Sequence, residues 1–308
     1  MTTPLRIGTR GSPLALAQAH ETRDRLAAAH PELAAPGMIE IVVFKTTGDR
    51  ILDRTLAEAG GKGLFTKELE EALLDGRADL AVHSMKDVPT WLPDGLEIAC
   101  LLPREDPRDA FFSRTGAGLD SLPAGSVIGT AGLRRQAQIL ERRPDLTVVP
   151  LRGNVQTRLS KLEAGEVDAT LLALAGLRRL GMADRITAVF EPDEMLPAVA
   201  QGAIGIEIRS GDDRTRGYLQ ALHCPDTAQR VTAERALLAA LDGSCRTPIA
   251  ALARLDGGTL TLDAKVLSTD GRQVFRAQRT GPAPDGAAMG ADAGAEIKAL
   301  LPAGFFLP

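Results

Sequence analysis

Within five residues this 308-residue chain brings together an imidazole, a hydroxyl, an ammonium and a carboxylate, in His83-Ser84-Met85-Lys86-Asp87. The run follows Asp79-Leu80-Ala81-Val82, which reads as a buried strand, and Pro89 stops it. Polar groups just past a strand end stand where open α/β sheets bind ligands. A carboxylate such as Asp87 can counter a positive charge that develops in a reaction, and Lys86 can hold an anion. From these residues alone, a solvated loop that does nothing is an equal reading, because loops carry both solvent and function.

Other cations share the setting. Lys45, Lys62, Arg134, Arg135, Arg152, Arg158, Arg178 and Arg179 fall near predicted strand ends or loops, although the net charge is −4 and the pI about 5.7. A nucleic-acid binder would more often be basic overall. Local arginines in an acidic chain point instead to a small polyanion, since guanidinium groups grip carboxylates or phosphates in a fork. Cys100, Cys224 and Cys245 form no CxxC pair, and His20, His30, His83 and His223 show no ligand spacing, so no metal site is expected. The N-terminal residues lack the apolar core of a signal peptide, and no stretch is long enough to span a membrane. A cytoplasmic protein with reduced thiols, binding neither membrane nor nucleic acid, is expected.

The elements that must position these groups follow a repeated grammar. Arg6-Ile7-Gly8-Thr9-Arg10-Gly11-Ser12-Pro13 reads as a strand, a small-residue turn and a helix start, with Ser12 as N-cap and Pro13 in the first turn. A strand over residues 39–44 follows. Gly60-Gly61-Lys62-Gly63-Leu64-Phe65 lacks the spacing of a P-loop and reads equally as a lid or a surface loop before a helix at 66–74. Val127-Ile128-Gly129-Thr130-Ala131-Gly132 opens a second unit of the same kind, whose helix carries Arg134 and Arg135 in its first turn. Residues 202–208 read as a strand that crosses back to the first unit. The expected fold is therefore α/β, with two similar domains facing a shared cleft. A small α+β domain closes the chain. It should have a helix capped by Asp226 or Thr227, three antiparallel strands near 249–255, 260–268 and 273–279, and a final helix around 296–301. The domains expected are 1–101 with 202–220, then 102–201, then 224–308.

The chain resembles the hydroxymethylbilane synthase, or porphobilinogen deaminase, family over essentially its whole length. The likeness rests on several motifs in family order. They are Gly8-Thr9-Arg10-Gly11-Ser12-Pro13-Leu14-Ala15-Leu16, Gly60 to Leu69, Ala81 to Pro89, Leu133-Arg134-Arg135, Leu151 to Arg158 and Gln201 to Glu207. The resemblance implies two domains like those of periplasmic binding proteins plus the small C-terminal domain. It implies a transferase that joins four porphobilinogen units head to tail, releasing ammonia, with water then freeing hydroxymethylbilane. It also implies a dipyrromethane cofactor built from the same substrate and bound by a thioether to Cys245, in Gly243-Ser244-Cys245-Arg246. A thiolate is a suitable nucleophile for that bond.

By the same resemblance, Asp87 is the catalytic carboxylate. Ser84, Lys86, Asp87, Thr130, Arg134 and Arg135 hold the cofactor, and Arg10, Ser12, Lys62, Phe65, Arg152, Arg158 and Arg179 hold substrate. Each pyrrole brings an acetate and a propionate, which explains the demand for cations. Ala131 and Gly132 stand where the family usually has serines and offer only backbone amides. A monomer is expected. The competing class is a non-enzymatic small-anion binding protein of the same two-domain plan.

Overall fold

The computed structural model describes residues 3–50, 63–243 and 247–305. Cys245, Lys62 and the Gly60-Gly61 part of the supposed lid lie outside them. The chain divides into two compact units. Of the described residues, the first comprises 3–50, 63–105 and 203–228, and the second 106–202, 229–243 and 247–305.

In the first unit, strand β1 (Leu5–Arg10) leads into helix α1 (Pro13–Ala29), and β2 (Ile39–Phe44) runs into the short helix α2 (Thr47–Arg50). Helix α3 (Lys67–Leu74) precedes β3 (Leu80–Ser84), and β4 (Leu96–Leu101) comes last before the chain leaves. β1 pairs in parallel with both β2 and β3, so the turns that follow all three strands emerge at one edge. The core beneath α1 gathers Leu5, Ile7, Leu26, Leu80, Val82 and Cys100. On the other face, Leu69 and Leu73 of α3 pack against Ala81.

The second unit repeats the plan. Its strands are β5 (Asp109–Ser113), β6 (Val127–Gly129), β7 (Thr147–Val149), β8 (Ala169–Ala173) and β9 (Ala188–Val189). Helices α4 (Leu133–Arg142), α5 (Val155–Glu163) and α6 (Leu174–Arg179) follow β6, β7 and β8 respectively. The chain then returns to the first unit as β10 (Ile204–Arg209) and helix α7 (Asp213–Gln220). The sheet orders correspond strand for strand: β2-β1-β3-β10-β4 and β7-β6-β8-β5-β9. In each sheet the fourth strand is antiparallel, β10 against β3 and β5 against β8. Neither β5 nor β9 was expected from the sequence. An antiparallel neighbour begins where the parallel strands end, so Asp109, the first residue of β5, pairs with Ala173, the last of β8. This register brings a carboxylate to the edge where the arginines emerge.

Helix α8 (Pro225–Ala240), strands β11 (Ile249–Asp256), β12 (Thr259–Leu267) and β13 (Val274–Pro282), and helix α9 (Gly286–Leu300) complete the chain. The sheet is antiparallel, in the order β11-β12-β13. Two expectations are corrected here. α8 starts at Pro225, so Asp226 and Thr227 lie inside its first turn rather than capping it. α9 is far longer than residues 296–301. Glycine disfavours helices, which argues against extending the helix back through residues 286–295. Yet Gly286, Gly290 and Gly294 recur every fourth residue and face α8. A Cβ on Gly290 would lie 2.1 Å from the Ala233 carbonyl oxygen, and one on Gly294 2.6 Å from Ala240 Cβ. Backbone approach between the helices offsets the intrinsic penalty.

The hairpin between β12 and β13 meets α4. Gly271, at φ +73°, places its α-carbon so that a Cβ would fall 2.4 Å from Glu141 N and 2.6 Å from Ala137 O. Gln136 donates to Thr269 O at 3.2 Å, and Glu141 bridges Lys265 and Arg276. Gly271→Ala therefore meets helix backbone that cannot yield and takes a left-handed conformation costly for alanine. A loss of about 2–4 kcal/mol is expected in urea melts; an unchanged midpoint would show that the hairpin does not need this contact.

Candidate functional site

Among the described residues, most of the groups singled out in the first unit line one cavity of about 80 Å³; Lys45 stands exposed outside it. β1 ends at Arg10, and Ser12 caps α1 by accepting a hydrogen bond from Ala15 N at 3.3 Å. β3 ends at Ser84, and a single 3-10 turn, Met85–Asp87, closed by Val88 N to Met85 O at 3.2 Å, presents Lys86 and Asp87. Because β1 and β3 are parallel neighbours, both turns open at the same edge. Arg10, Ser12, Phe65, Ser84, Lys86 and Asp87 all line the cavity. The Arg10 guanidinium lies 4.2 Å above the Phe65 ring, in the range of a cation–π contact. Gly48 supports that ring from behind, since a Cβ there would approach Phe65 Cε1 to 2.3 Å.

One polar lining residue, Gln18, and the buried partner of His83 were not anticipated. Gln18 is 3% exposed and sits with its Nε2 2.8 Å from Ser84 Oγ, which fixes that hydroxyl. The signal was a polar residue on the buried stripe Ala15, Ala19, Thr22, Leu26 of α1. His83, on β3, pairs through Nε2 with Glu207 Oε2 at 2.8 Å.

In the second unit, Arg134 and Arg135 occupy the first turn of α4, where cations oppose the helix dipole. Both are buried. Asp109 compensates for them. Its Oδ2 accepts from Arg134 Nη2 at 2.7 Å, and its Oδ1 accepts from Arg135 Nη2 at 2.7 Å and Nε at 3.1 Å. Gln201 Nε2 adds a bond to Oδ1 at 3.0 Å. The guanidinia also donate to backbone carbonyls, Arg134 to Leu196 O and Arg135 to Leu171 O of β8. Burial alone would raise the Asp109 carboxyl, but the charges of Arg134 and Arg135 overcome it and hold the group below the ordinary carboxylate range. Two arginines and one aspartate leave one net positive charge at this edge.

Four other residues named from the sequence lie in this unit, Thr130 and Arg152 on turns, Arg158 within α5 and Arg179 at the end of α6. Thr130, buried after β6, accepts from Gly132 N at 3.2 Å, so its hydroxyl shapes the turn. Arg152 follows β7, and its Nη1 is buried with no hydrogen-bond partner among the described residues. Arg158 Nε donates to Gly153 O at 2.9 Å, and Arg179 Nη2 to Gly202 O at 3.2 Å. Of the cysteines described, Cys100 is fully buried and its thiol is pushed up to about 12, which keeps it protonated and inert. Cys224 accepts from Thr227 Oγ1 at 3.3 Å. Among the described residues there is no metal-binding cluster, and no helix is long and apolar enough to cross a membrane.

Comparison with known proteins extends these observations. A family model described as the dipyrromethane cofactor binding domain of porphobilinogen deaminase matches residues 5–217, and one for the C-terminal domain of the same enzyme matches residues 228–299. The chain is 61% identical over 303 residues to a porphobilinogen deaminase of Paracoccus denitrificans, covering 98% of this chain and 96% of that protein. It is 61% identical over 305 residues to a chloroplastic porphobilinogen deaminase of Oryza sativa subsp. japonica, covering 98% and 85%. Among solved structures, it is similar to a TRAP periplasmic solute binding protein of Desulfovibrio salexigens at 11% identity and a TM-score of 0.43, covering 72% and 73% of the two chains. It is also similar to a periplasmic binding protein of Salmonella typhimurium at 16% identity and a TM-score of 0.39, covering 74% and 97%.

Proposed function

The chain belongs to the porphobilinogen deaminase family, transferases of tetrapyrrole synthesis, and from this membership we propose how its own residues carry the reaction. The activity is the stepwise head-to-tail condensation of four porphobilinogen molecules with loss of ammonia, followed by hydrolysis to hydroxymethylbilane. The single observation that carries the residue assignment is the cavity that gathers Arg10, Ser12, Lys86 and Asp87 at one sheet edge.

A dipyrromethane, when bound, supplies the pyrrole carbon onto which substrate units are joined. The second unit fits such a polycarboxylate: Arg152 Nη1 is a buried donor without a partner among the described residues, and the cluster around Asp109 keeps one net positive charge. Cys245 would hold the group covalently, with Ser84, Lys86, Thr130, Arg134 and Arg135 around its carboxylates. Arg10, Ser12, Lys62, Phe65, Arg152, Arg158 and Arg179 would bind the substrate. Asp87 accepts hydrogen bonds from pyrrole N–H groups and counters the cation left as ammonia departs. It also moves a proton between amine and ring. The three separate sheets support a division into domains at 1–101 with 202–220, at 102–201 and at 224–308. A cytoplasmic, monomeric protein belongs to the same reading, and sedimentation at increasing concentration tests the monomer.

Intact-protein mass tests the whole proposal. The purified chain should weigh more than its sequence by two linked pyrrole units, and peptide mapping should put the addition on Cys245. Cys245→Ser should fold, lose the addition and fall to background turnover. Finding the addition on Cys100 or Cys224 sinks the assignment of the cysteine.

A further inference from the structure

Behind the cavity lies a buried ionisable group for which the mechanism above has no use. His83 lines the cavity and is 5% exposed, and Glu207, which holds its Nε2 at 2.8 Å, is 0% exposed. The sheet register explains the meeting. On antiparallel β3 and β10, His83 stands opposite Gly205 and Glu207 opposite Ala81, so imidazole and carboxylate share one face and meet on the diagonal. Met85 folds onto Gly205, where a Cβ would come within 2.0 Å of its sulfur, and this keeps the strand bare beside the ring. Glu207 Oε1 is buried and meets no hydrogen-bond donor among the described residues. A second buried carboxyl, Glu70 on α3, interacts electrostatically with both groups, and burial raises it above the ordinary carboxylate range. The charged groups around His83 are thus Glu207 from β10 and Glu70 from α3, with Arg10, Lys86 and Asp87 lining the same cavity.

A carboxylate on one ring nitrogen fixes the tautomer of an imidazole and stabilises its protonated form, leaving the other nitrogen as a base. We propose that His83, backed by Glu207, is a second acid–base group of the site and takes the ring proton displaced at each condensation. The inference rests on the function proposed above. Porphobilinogen enters as an ammonium, and the C–N bond breaks with its electron pair leaving on ammonia. A pair of π electrons from the ring carbon of the other pyrrole forms the new C–C bond to the methylene. The C–H pair of that carbon returns to its ring, and the proton passes to Nδ1 of His83. The resulting imidazolium is paired with Glu207, and the proton leaves on ammonia as ammonium. Asp87 remains the group that stabilises the cation and serves the departing amine, so the ring proton, assigned to Asp87 above, falls to His83.

His83→Gln keeps a polar group near Glu207 but removes the base. Its turnover should fall about a hundredfold. With porphobilinogen deuterated at its free ring carbon, the variant should show a larger isotope effect on kcat than the wild type, because C–H cleavage becomes limiting. In Glu207→Gln the imidazolium loses its partner, so that variant should show the same enlarged isotope effect on kcat. If the pair were only structural, stability would change while the isotope effect stayed in place, and the proposal would be overturned. A readout independent of turnover comes from ¹⁵N NMR of the folded wild-type protein, where the His83 ring should be the Nε2–H tautomer when neutral. An Nδ1–H tautomer overturns the proposal even if His83→Gln fails to fold. Wild-type protein that carries the adduct and makes the linear tetrapyrrole separates failure of this inference from failure of the functional reading.

Discussion

Asp109→Asn should destabilise the second unit by about 3–5 kcal/mol, because it leaves two buried guanidinia facing a neutral amide. The carboxylate is fully buried, and four side-chain bonds converge on it, three from the arginines and one from Gln201. Arg134 and Arg135 are themselves less than a tenth exposed. For a unit of this size the loss corresponds to roughly 6–20 °C in melting temperature. The pH dependence follows with a definite sign. The folded-state carboxyl is held below its unfolded value. Its contribution is therefore fully present above the unfolded value of about 4 and is lost as pH falls below it toward the folded value. Wild-type stability should decline below about pH 5, and the Asn variant should lack that part of the decline. Urea melts at pH 7 and pH 4 measure both effects. A variant within about 0.5 kcal/mol of wild type at pH 7 would show that the arginines find other partners.

The same cluster shows what the sequence could convey and what it could not. Strand, turn and capped helix at Arg10-Ser12-Pro13 were legible because each step is a local rule: an apolar run, a hydroxyl cap, a proline at the first helical position. The Lys86-Asp87 turn was legible as a strand end. Asp109 was not. It precedes Ala110-Phe111-Phe112 and looks like a boundary charge, and only the antiparallel register against β8 carries it to the arginines. The pairing of His83 with Glu207 spans 124 residues and depends on the chain crossing back as β10. Gly286, Gly290 and Gly294 misled in the opposite direction, because local propensity disfavours helix there, whereas contact with α8 requires a bare backbone. What failed to show was in each case a consequence of strands or helices meeting across long sequence separations, and the site is built from such meetings.

The charge balance at the first unit's edge makes Asp87 the most exacting test of the functional reading. Arg10 and Lys86 line the cavity with it, and a substrate that loses ammonia adds a further positive charge. Asp87 is the carboxylate that the 3-10 turn sets into this surrounding. Removing preorganised electrostatic stabilisation of a developing charge costs about 2.7–4 kcal/mol, or roughly a hundred- to a thousandfold in rate. Asp87→Asn preserves size and one acceptor oxygen but neither the charge nor the ability to carry a proton. Its turnover should fall by at least that factor. Asp87→Glu keeps the charge, displaced by one methylene, and should retain more activity than Asn. Asp87 is only half-buried, and the turn closes through Val88 N and Met85 O without its side chain. Both variants should therefore melt within about 0.5 kcal/mol of wild type. Rates are to be compared on protein whose mass shows the covalent addition, so that a defect in assembling the site is not mistaken for one in turnover. If the Asn variant carries the addition and turns over at near wild-type rate, Asp87 is not the stabilising carboxylate. If both variants lose stability before they lose rate, its work is to hold the loop ahead of Pro89.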